Sequence, residues 1–254
     1  MARLDGAIAV VFGGTSGIGE SIATGFLREG AVVIPVSRSE EKVAKAVEKF
    51  AEQGNPWKAR ICVDVTDEQQ INKLCDAVLG QFGRIDVMVC SAGAYLKKPA
   101  EEVSLSEWDA VIRPNLTGTF LTNRIVGTVM LKQGKGSIIN IGSLGSSVAL
   151  SNTLPYCASK AGVVMLTRCL SSEWCKRGVR VNAIIPGVFP TDLNRKALSD
   201  PLRVENILRR TPMGRLGDVS ELIGATVFLA CDESAFVSGI ELPVDGGFLA
   251  HSGF

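Results

Sequence analysis

The stretch Gly13-Gly14-Thr15-Ser16-Gly17-Ile18-Gly19 follows an apolar run at 7–12 without a break and opens a segment with apolar residues at Ile18, Ile22, Phe26 and Leu27. Strand, glycine-rich turn and amphipathic helix in that order leave few folds open. Glycines let the backbone turn sharply and approach a bulky anion, while a helix N-terminus offers unpaired N–H groups and the positive end of its dipole. Gly13, Thr15, Ser16, Gly17, Ile18 and Gly19 are therefore expected to hold a pyrophosphate. No lysine follows the turn, which excludes a P-loop.

Short β-branched runs alternate with helical patterns along the rest of the chain, as in βα units that build a parallel sheet. Strands are expected at 7–12, 32–36, 59–63, 87–91, 137–141, 180–185 and 240–244. Helices are expected to start near Gly17, Glu40, Asp67, Ser104, Pro155 and Asp218, with Thr66 among the capping residues. Proline removes a ladder donor, so Pro35 is expected where the second strand is already ending. The fold class is then α/β: one domain spanning 1–254, a Rossmann-type doubly wound parallel sheet of about seven strands with helices on both faces. Residues 189–217 mix prolines, charges and a short helical pattern, and are expected to form a substrate lid.

A dinucleotide site of this kind usually carries an acid about 20 residues beyond the turn, where it binds the ribose 2′-hydroxyl of NAD. Here that place reads Val36-Ser37-Arg38-Ser39. An arginine and hydroxyls suit a 2′-phosphate, so NADP is expected at Ser37 and Arg38, with NAD as the second option.

Tyr156 and Lys160 stand one helical turn apart, about 6 Å along the axis and on one face. A free tyrosine has a pKa near ~10, and a neighbouring cation favours its phenolate, which turns it into a usable acid/base. The same spacing also arises from a half-buried aromatic beside a solvated lysine, so context has to decide. His251 is the only histidine, which leaves a Ser-His-Asp triad dependent on a tail residue and excludes a multi-histidine metal site. No metal is expected.

The 27 basic residues nearly balance the 26 acidic ones and form no stripe, so a small-molecule partner is expected rather than nucleic acid. No apolar stretch approaches the ~18 residues of a membrane span, and no secretory signal is recognised. Seven scattered cysteines without a Cys-x-x-Cys pair fit reduced thiols in a cytoplasmic protein.

The glycine pattern, Asp64-Val65, Cys90-Ser91-Ala92-Gly93, Asn115, Ser143, Tyr156, Lys160 and Pro186-Gly187, in that order and over nearly the whole chain, resembles the classical short-chain dehydrogenase/reductase family. The resemblance implies an NAD(P)-dependent oxidoreductase acting on CH–OH groups. Asp64 and Val65 would hold the adenine, and Ala92 and Gly93 would lie beside the cofactor. Cys90 and Ser91 replace two asparagines of the family pattern. Tyr156 would exchange the proton of the substrate hydroxyl, Ser143 would bind the reacting oxygen, and Lys160 would contact the nicotinamide ribose and lower the tyrosine pKa. Asn115 would hold a water linking Lys160 to solvent, while Pro186, Gly187, Val188 and Thr191 would line the nicotinamide.

The segment 186–193 and the closing Pro243-Val244-Asp245-Gly246-Gly247-Phe248 are similar to gluconate 5-dehydrogenase-like sugar-acid and polyol oxidoreductases, and also to 3-oxoacyl-carrier-protein reductases. A sugar-acid or polyol substrate is expected, with the acyl-ketone reductase as the alternative. A non-catalytic NADP(H)-binding sensor on the same fold is the other class left open. The resemblance also implies a homotetramer, with a dimer as the alternative: the long helices near 104–131 and 155–177 would form one interface and the apolar tail from Phe248 to Phe254 another.

Overall fold

Alternate residues of the first strand point to opposite faces, and both faces are covered. In β1 (Ile8–Phe12), Ile8, Val10 and Phe12 join one buried cluster while Ala9 and Val11 join a second. Burial on both faces requires the continuous β-branched runs seen in the sequence and is the condition under which all-parallel sheets occur. The computed structural model describes residues 2–192 and 194–251.

Beyond β1 the sheet contains β2 (Val32–Val36), β3 (Val87–Cys90), β4 (Gly136–Ile141), β5 (Val179–Pro186) and β6 (Glu241–Val244). All neighbours are parallel, in the order β2-β1-β3-β4-β5-β6. The helices are α1 (Gly17–Arg28), α2 (Glu40–Glu52), α3 (Glu68–Phe82), α4 (Leu105–Ile112), α5 (Gly118–Gln133), α6 (Leu154–Trp174), α7 (Arg195–Leu198), α8 (Pro201–Arg209) and α9 (Leu222–Ala230). Side chains of α3 and α5 pack in the first cluster; those of α1 and α9 pack in the second. From β1 the chain goes to one neighbour and then crosses to the other, so a crevice opens at the carboxyl ends of β1 and β3.

The sheet has six strands among the described residues, not about seven. Residues 59–63 run extended but have no ladder; Val63 N–H donates to Ser37 O at 3.0 Å, just past the end of β2. Their apolar side chains are consumed by packing, with Val63 buried in the first cluster and Ala59 and Ile61 against it. Pro35 lies inside β2 rather than at its end, opposite Val11. It is tolerated there because β2 is the edge of the assigned ladder, so its missing N–H costs no inter-strand bond. Asp67, not Thr66, caps α3, its carboxylate accepting from the N–H groups of Gln69 and Gln70.

The helix expected from 104 onward is broken. A single π-turn, Arg113–Thr117, separates α4 from α5, and Pro114 within it has no N–H to give to a regular helical bond. Polar side chains then tie the sheet to its helices: Asn140 and Asn123 exchange amide hydrogen bonds at 2.9 and 3.1 Å, and Asn140 also donates to Thr167 of α6. Cys90 places its buried thiol 3.4 Å from the hydroxyls of both Thr119 and Thr122. Sulfur contacts thus occupy this junction of β3 and α5, where the family pattern has an asparagine.

Candidate active site

The crevice at the strand ends is a cleft of about 460 Å³. Gly13, Thr15, Ser16, Gly17 and Ile18 line one end of it. Gly13 has φ +80°, and a Cβ there would stand 2.8 Å from the Ala92 nitrogen. Ser16 is the N-cap of α1 but its hydroxyl makes no capping bond, which leaves the helix N–H groups free for an anion. Gly19 does not line the cleft. A Cβ on it would overlap the Gly13 carbonyl, so this glycine shapes the turn instead of touching what the turn holds. The cradle fits a dinucleotide pyrophosphate.

Further along, Ser37, Arg38 and Val65 line the cleft together with Ser39 and Lys42. Arg38 is largely exposed and only 3.8 Å from the Asp64 carboxylate, a loose pairing that a phosphate can displace. Asp64 lies outside the lining; its Oδ1 accepts from the backbone and hydroxyl of Thr66, both at 2.8 Å, and so fixes the loop that presents Val65. Lys42 was not recognised from sequence. It sits four residues after Arg38 in the first turn of α2, and the available signal was that spacing combined with the Ser39 cap, which accepts from Lys42 N–H.

At the other end of the cleft, β4 runs into Ser143, whose hydroxyl accepts from Gly145 N–H at 3.2 Å. The first turns of α6 bring Tyr156 and Lys160 to the same place, and all three residues line the cleft. Lys160 is buried, its Nζ 5.9 Å from the centre of the Tyr156 ring and donating to Ile141 O at 2.7 Å. Burial disfavours its charge and pushes its pKa down to about 8, so near neutral pH the ammonium persists but gives up its proton more readily than an ordinary lysine. Burial raises the Tyr156 phenol, and hydrogen bonding to the Ser143 side chain works against that rise. Lys160, expected to lower the phenol, is not among the groups that shift it; Ser143 supplies the opposing pull.

Asn115 is completely buried in the π-turn and does not line the cleft. Its amide donates to Ala94 O at 2.9 Å and Ser159 Oγ at 3.0 Å, and its Oδ1 accepts from Ala94 N–H at 2.6 Å. Ser159 in turn donates to Tyr156 O. Both amide hydrogens are used, so the side chain clips the 93–95 loop to α6. That clip sets Tyr95 edge-on against Tyr156, ring centres 5.1 Å apart. Sequence gave no sign of Tyr95, because its partner is 61 positions away and no local periodicity links them.

Ala92, Gly93, Pro186, Gly187 and Thr191 also line the cleft, while Val188 lines an adjoining cavity of about 410 Å³. Thr191 closes over the turn: a Cβ on Gly17 would come within 3.3 Å of its Cγ2. Phe248 is buried within its own chain beneath the Arg210 guanidinium, and Leu249 packs on Val164, Ala183 and Ile185. Phe248 is therefore covered without a partner, while Leu249 is covered only in part. Leu193 and Phe254 lie outside the described residues, and none of the described helices is long and apolar enough to cross a membrane.

A parallel sheet with an anion cradle after its first strand and a serine, tyrosine and lysine gathered past its fourth defines a Rossmann-type α/β protein built for dinucleotide chemistry. The chain belongs to the short-chain dehydrogenase/reductase family. Residues 13–249 match the family model described as enoyl-(acyl carrier protein) reductase. The chain is 41% identical to D-threitol dehydrogenase of Mycolicibacterium smegmatis, covering 97% of this chain and 94% of that protein. It is 36% identical to gluconate 5-dehydrogenase of Gluconobacter oxydans, covering 96% and 95%. Among solved structures, a gluconate 5-dehydrogenase from Burkholderia cenocepacia in complex with NADP and tartrate superposes with a TM-score of 0.94 at 37% identity, covering 98% of this chain and 97% of that one.

Proposed function

We propose that this protein is an NADP(H)-dependent oxidoreductase that interconverts a secondary alcohol and a ketone on a sugar acid or polyol. The observation that carries the reading is the convergence of Ser143, Tyr156 and Lys160 at one end of a cleft whose other end is a glycine cradle flanked by Arg38 and Lys42. Relatives acting on threitol and gluconate, and the NADP-bound neighbour, support it.

When bound, NADP(H) carries the hydride. Gly13, Thr15, Ser16, Gly17 and Ile18 hold its pyrophosphate, Ser37 and Arg38 its 2′-phosphate with Lys42 beside them, and Val65 its adenine side on the loop that Asp64 fixes. Ala92, Gly93, Pro186, Gly187 and Thr191 enclose the nicotinamide end, with Val188 behind them in the adjoining cavity. Ser143 donates a hydrogen bond to the reacting oxygen. Tyr156 Oη gives that oxygen its proton in ketone reduction and takes it back in alcohol oxidation. Lys160 holds the ribose and, with its eased pKa, resupplies the phenol. Asn115 keeps Tyr156 and Tyr95 in place, and the water that would link Lys160 to solvent lies beside it. The arm at 189–217 acts as the substrate lid of a single domain, 1–254.

Kinetics with NADP+ and NAD+ on a panel of sugar acids, polyols and acyl ketones test this. Turnover of a β-ketoacyl thioester alone would replace the substrate reading, and tight NADPH binding without any turnover would favour a sensor. For the cofactor, Arg38→Asp is expected to shift the NADP+/NAD+ ratio of kcat/KM toward NAD+ by ~10- to 100-fold, the worth of one charge-assisted hydrogen bond, with a smaller shift for Lys42→Ala. An unchanged ratio in both would sink the 2′-phosphate assignment.

The same reading makes the protein a cytoplasmic homotetramer. Seven unpaired cysteines fit a reducing compartment. Phe120 on α5, Met165 on α6 and Leu105 on α4 are 42%, 53% and 76% exposed, a set of large apolar side chains on the helices expected at the interface. Light scattering is expected to give four chain masses. A monomer would refute the interface, and a dimer would confine it to one pair of surfaces.

A further inference from the structure

The lid segment carries a surplus of cations, and the structure separates them. Arg195 pairs with Asp192, and Arg215 meets Glu221 through two nitrogens at 2.8 and 2.6 Å. Arg210 lies over the Phe248 ring. On the loop facing the lid, Lys98 is held by Glu107. Arg203 differs. It is half-buried on α8, has no carboxylate within ion-pair distance among the described residues, and its Nη2 donates to Tyr95 Oη at 3.2 Å.

Tyr95 is the ring that stands edge-on to Tyr156. Its backbone neighbour Ala94 is clipped on both its N–H and its C=O by Asn115, so the Tyr95 phenol is a fixed post beside the reacting groups. Arg203 is thus tethered, through Tyr95, to a ring that packs on Tyr156, although neither Tyr95 nor Arg203 is among the residues that line the cleft itself. A guanidinium has five N–H donors, and the one bond to Tyr95 leaves a fork able to engage both oxygens of a carboxylate. A half-buried cation without a counter-charge is unfavourable until an anion reaches it.

We propose that Arg203, oriented by Tyr95, binds a substrate carboxylate several carbons from the reacting carbon, and so selects a sugar acid over the neutral polyol of the same skeleton. This rests on the oxidoreductase reading above and names its substrate class. A polyol can accept only single hydrogen bonds from the guanidinium, whereas a carboxylate gains charge-assisted ones.

The test compares D-gluconate with D-glucitol, which differ at C1 by carboxylate against CH₂OH, in NADP+-linked oxidation by wild type, Arg203→Gln, Arg203→Lys, Tyr95→Phe and Arg209→Gln. Calorimetric titration of gluconate into the NADP+-loaded protein runs alongside. The acid-over-polyol ratio of kcat/KM is expected to fall ~10- to 100-fold in Arg203→Gln, mainly through KM for the acid, because a hydrogen bond to a charged group is lost. Arg203→Lys should keep part of the ratio, and Tyr95→Phe, which frees the guanidinium but keeps its charge, should lose less. Arg209→Gln removes one exposed cation from the same helix and should behave as wild type.

An unchanged ratio in Arg203→Gln, or an equal fall in Arg209→Gln, overturns the proposal and reduces the Arg203–Tyr95 contact to a latch or a diffuse field. Oxidation of glucitol with neither turnover nor binding of gluconate overturns it too, while leaving the oxidoreductase reading intact. Gluconate binding that depends on Arg203, without turnover of either compound, supports the carboxylate site and removes the catalytic reading instead. Neither binding nor turnover refutes both.

Discussion

Tyr156→Phe is expected to lower kcat by ~10³-fold or more while leaving the dissociation constant of NADPH within about twofold, since a positioned acid/base contributes roughly 10²–10⁴ to rate. The substitution removes one hydroxyl and keeps the ring, so the edge-on contact with Tyr95 and the packing at the start of α6 persist. What disappears is the phenol hydroxyl, the group proposed to exchange the substrate proton, in the cleft that Ser143 also lines. Lys160 donates to Ile141 O and stands 5.9 Å from the ring centre, so it serves the phenol rather than replacing it. Burial raises the phenol's pKa, so in wild type alcohol oxidation, which needs the phenolate, should rise with pH, and ketone reduction, which needs the phenol, should fall. Steady-state rates across pH and a fluorescence titration of NADPH check both. A variant that keeps a tenth of wild-type kcat would remove Tyr156 from the chemistry.

The groups most legible in the sequence are those whose geometry is local. Tyr156 and Lys160 meet because a helix places every fourth residue on one face, and the glycine turn is marked by its position between an apolar run and a helical pattern. Pro35 was misplaced because no local rule says which strand will be an edge; that follows only from the order of the whole sheet. The run at 59–63 reads as a strand because burial and pairing select the same residue types, and here burial alone accounts for them.

Asn115 shows the same limit within the site. As a motif residue it can be located, but its work depends on Ala94, 21 positions before it, and Ser159, 44 positions after it. Those contacts exist because the π-turn around Pro114 rotates the amide into the interior, a local irregularity that a smooth helical pattern through 104–131 conceals. Tyr95 gives no signal for a related reason, and Arg203 reads only as one of a surplus of lid cations that could recognise a carboxylate or phosphate or simply form a solvated basic face. One is a loop aromatic and the other a lid cation, and neither gains meaning until the fold sets them 3.2 Å apart.

The second large effect concerns a residue that touches no ligand. Gly19→Ala is expected to weaken NADPH binding by ~10- to 100-fold, the loss of about one hydrogen bond to a charged phosphate, and to destabilise the fold by about 1–3 kcal/mol through overpacking. A Cβ at position 19 would overlap the Gly13 carbonyl oxygen and lie 2.7 Å from its carbon, both backbone atoms. Gly13 is itself at φ +80° and so close to Ala92 that a Cβ on it would stand 2.8 Å from the Ala92 nitrogen, which limits its retreat on that side. The strain must therefore move the start of α1, and with it the uncapped N–H groups proposed to hold the pyrophosphate. Gly80→Ala, on the exposed side of α3 with nothing within 4 Å of the added carbon, is the matched control. It should gain about 0.5–1 kcal/mol of stability from helix propensity and leave NADPH affinity unchanged. Thermal melts with and without NADPH separate the two effects, since the ligand-induced rise in Tm should shrink in Gly19→Ala and persist in Gly80→Ala. An undiminished rise in Gly19→Ala would mean that the cradle tolerates the extra carbon, and that the turn's glycines are spaced for some purpose other than approach to a phosphate.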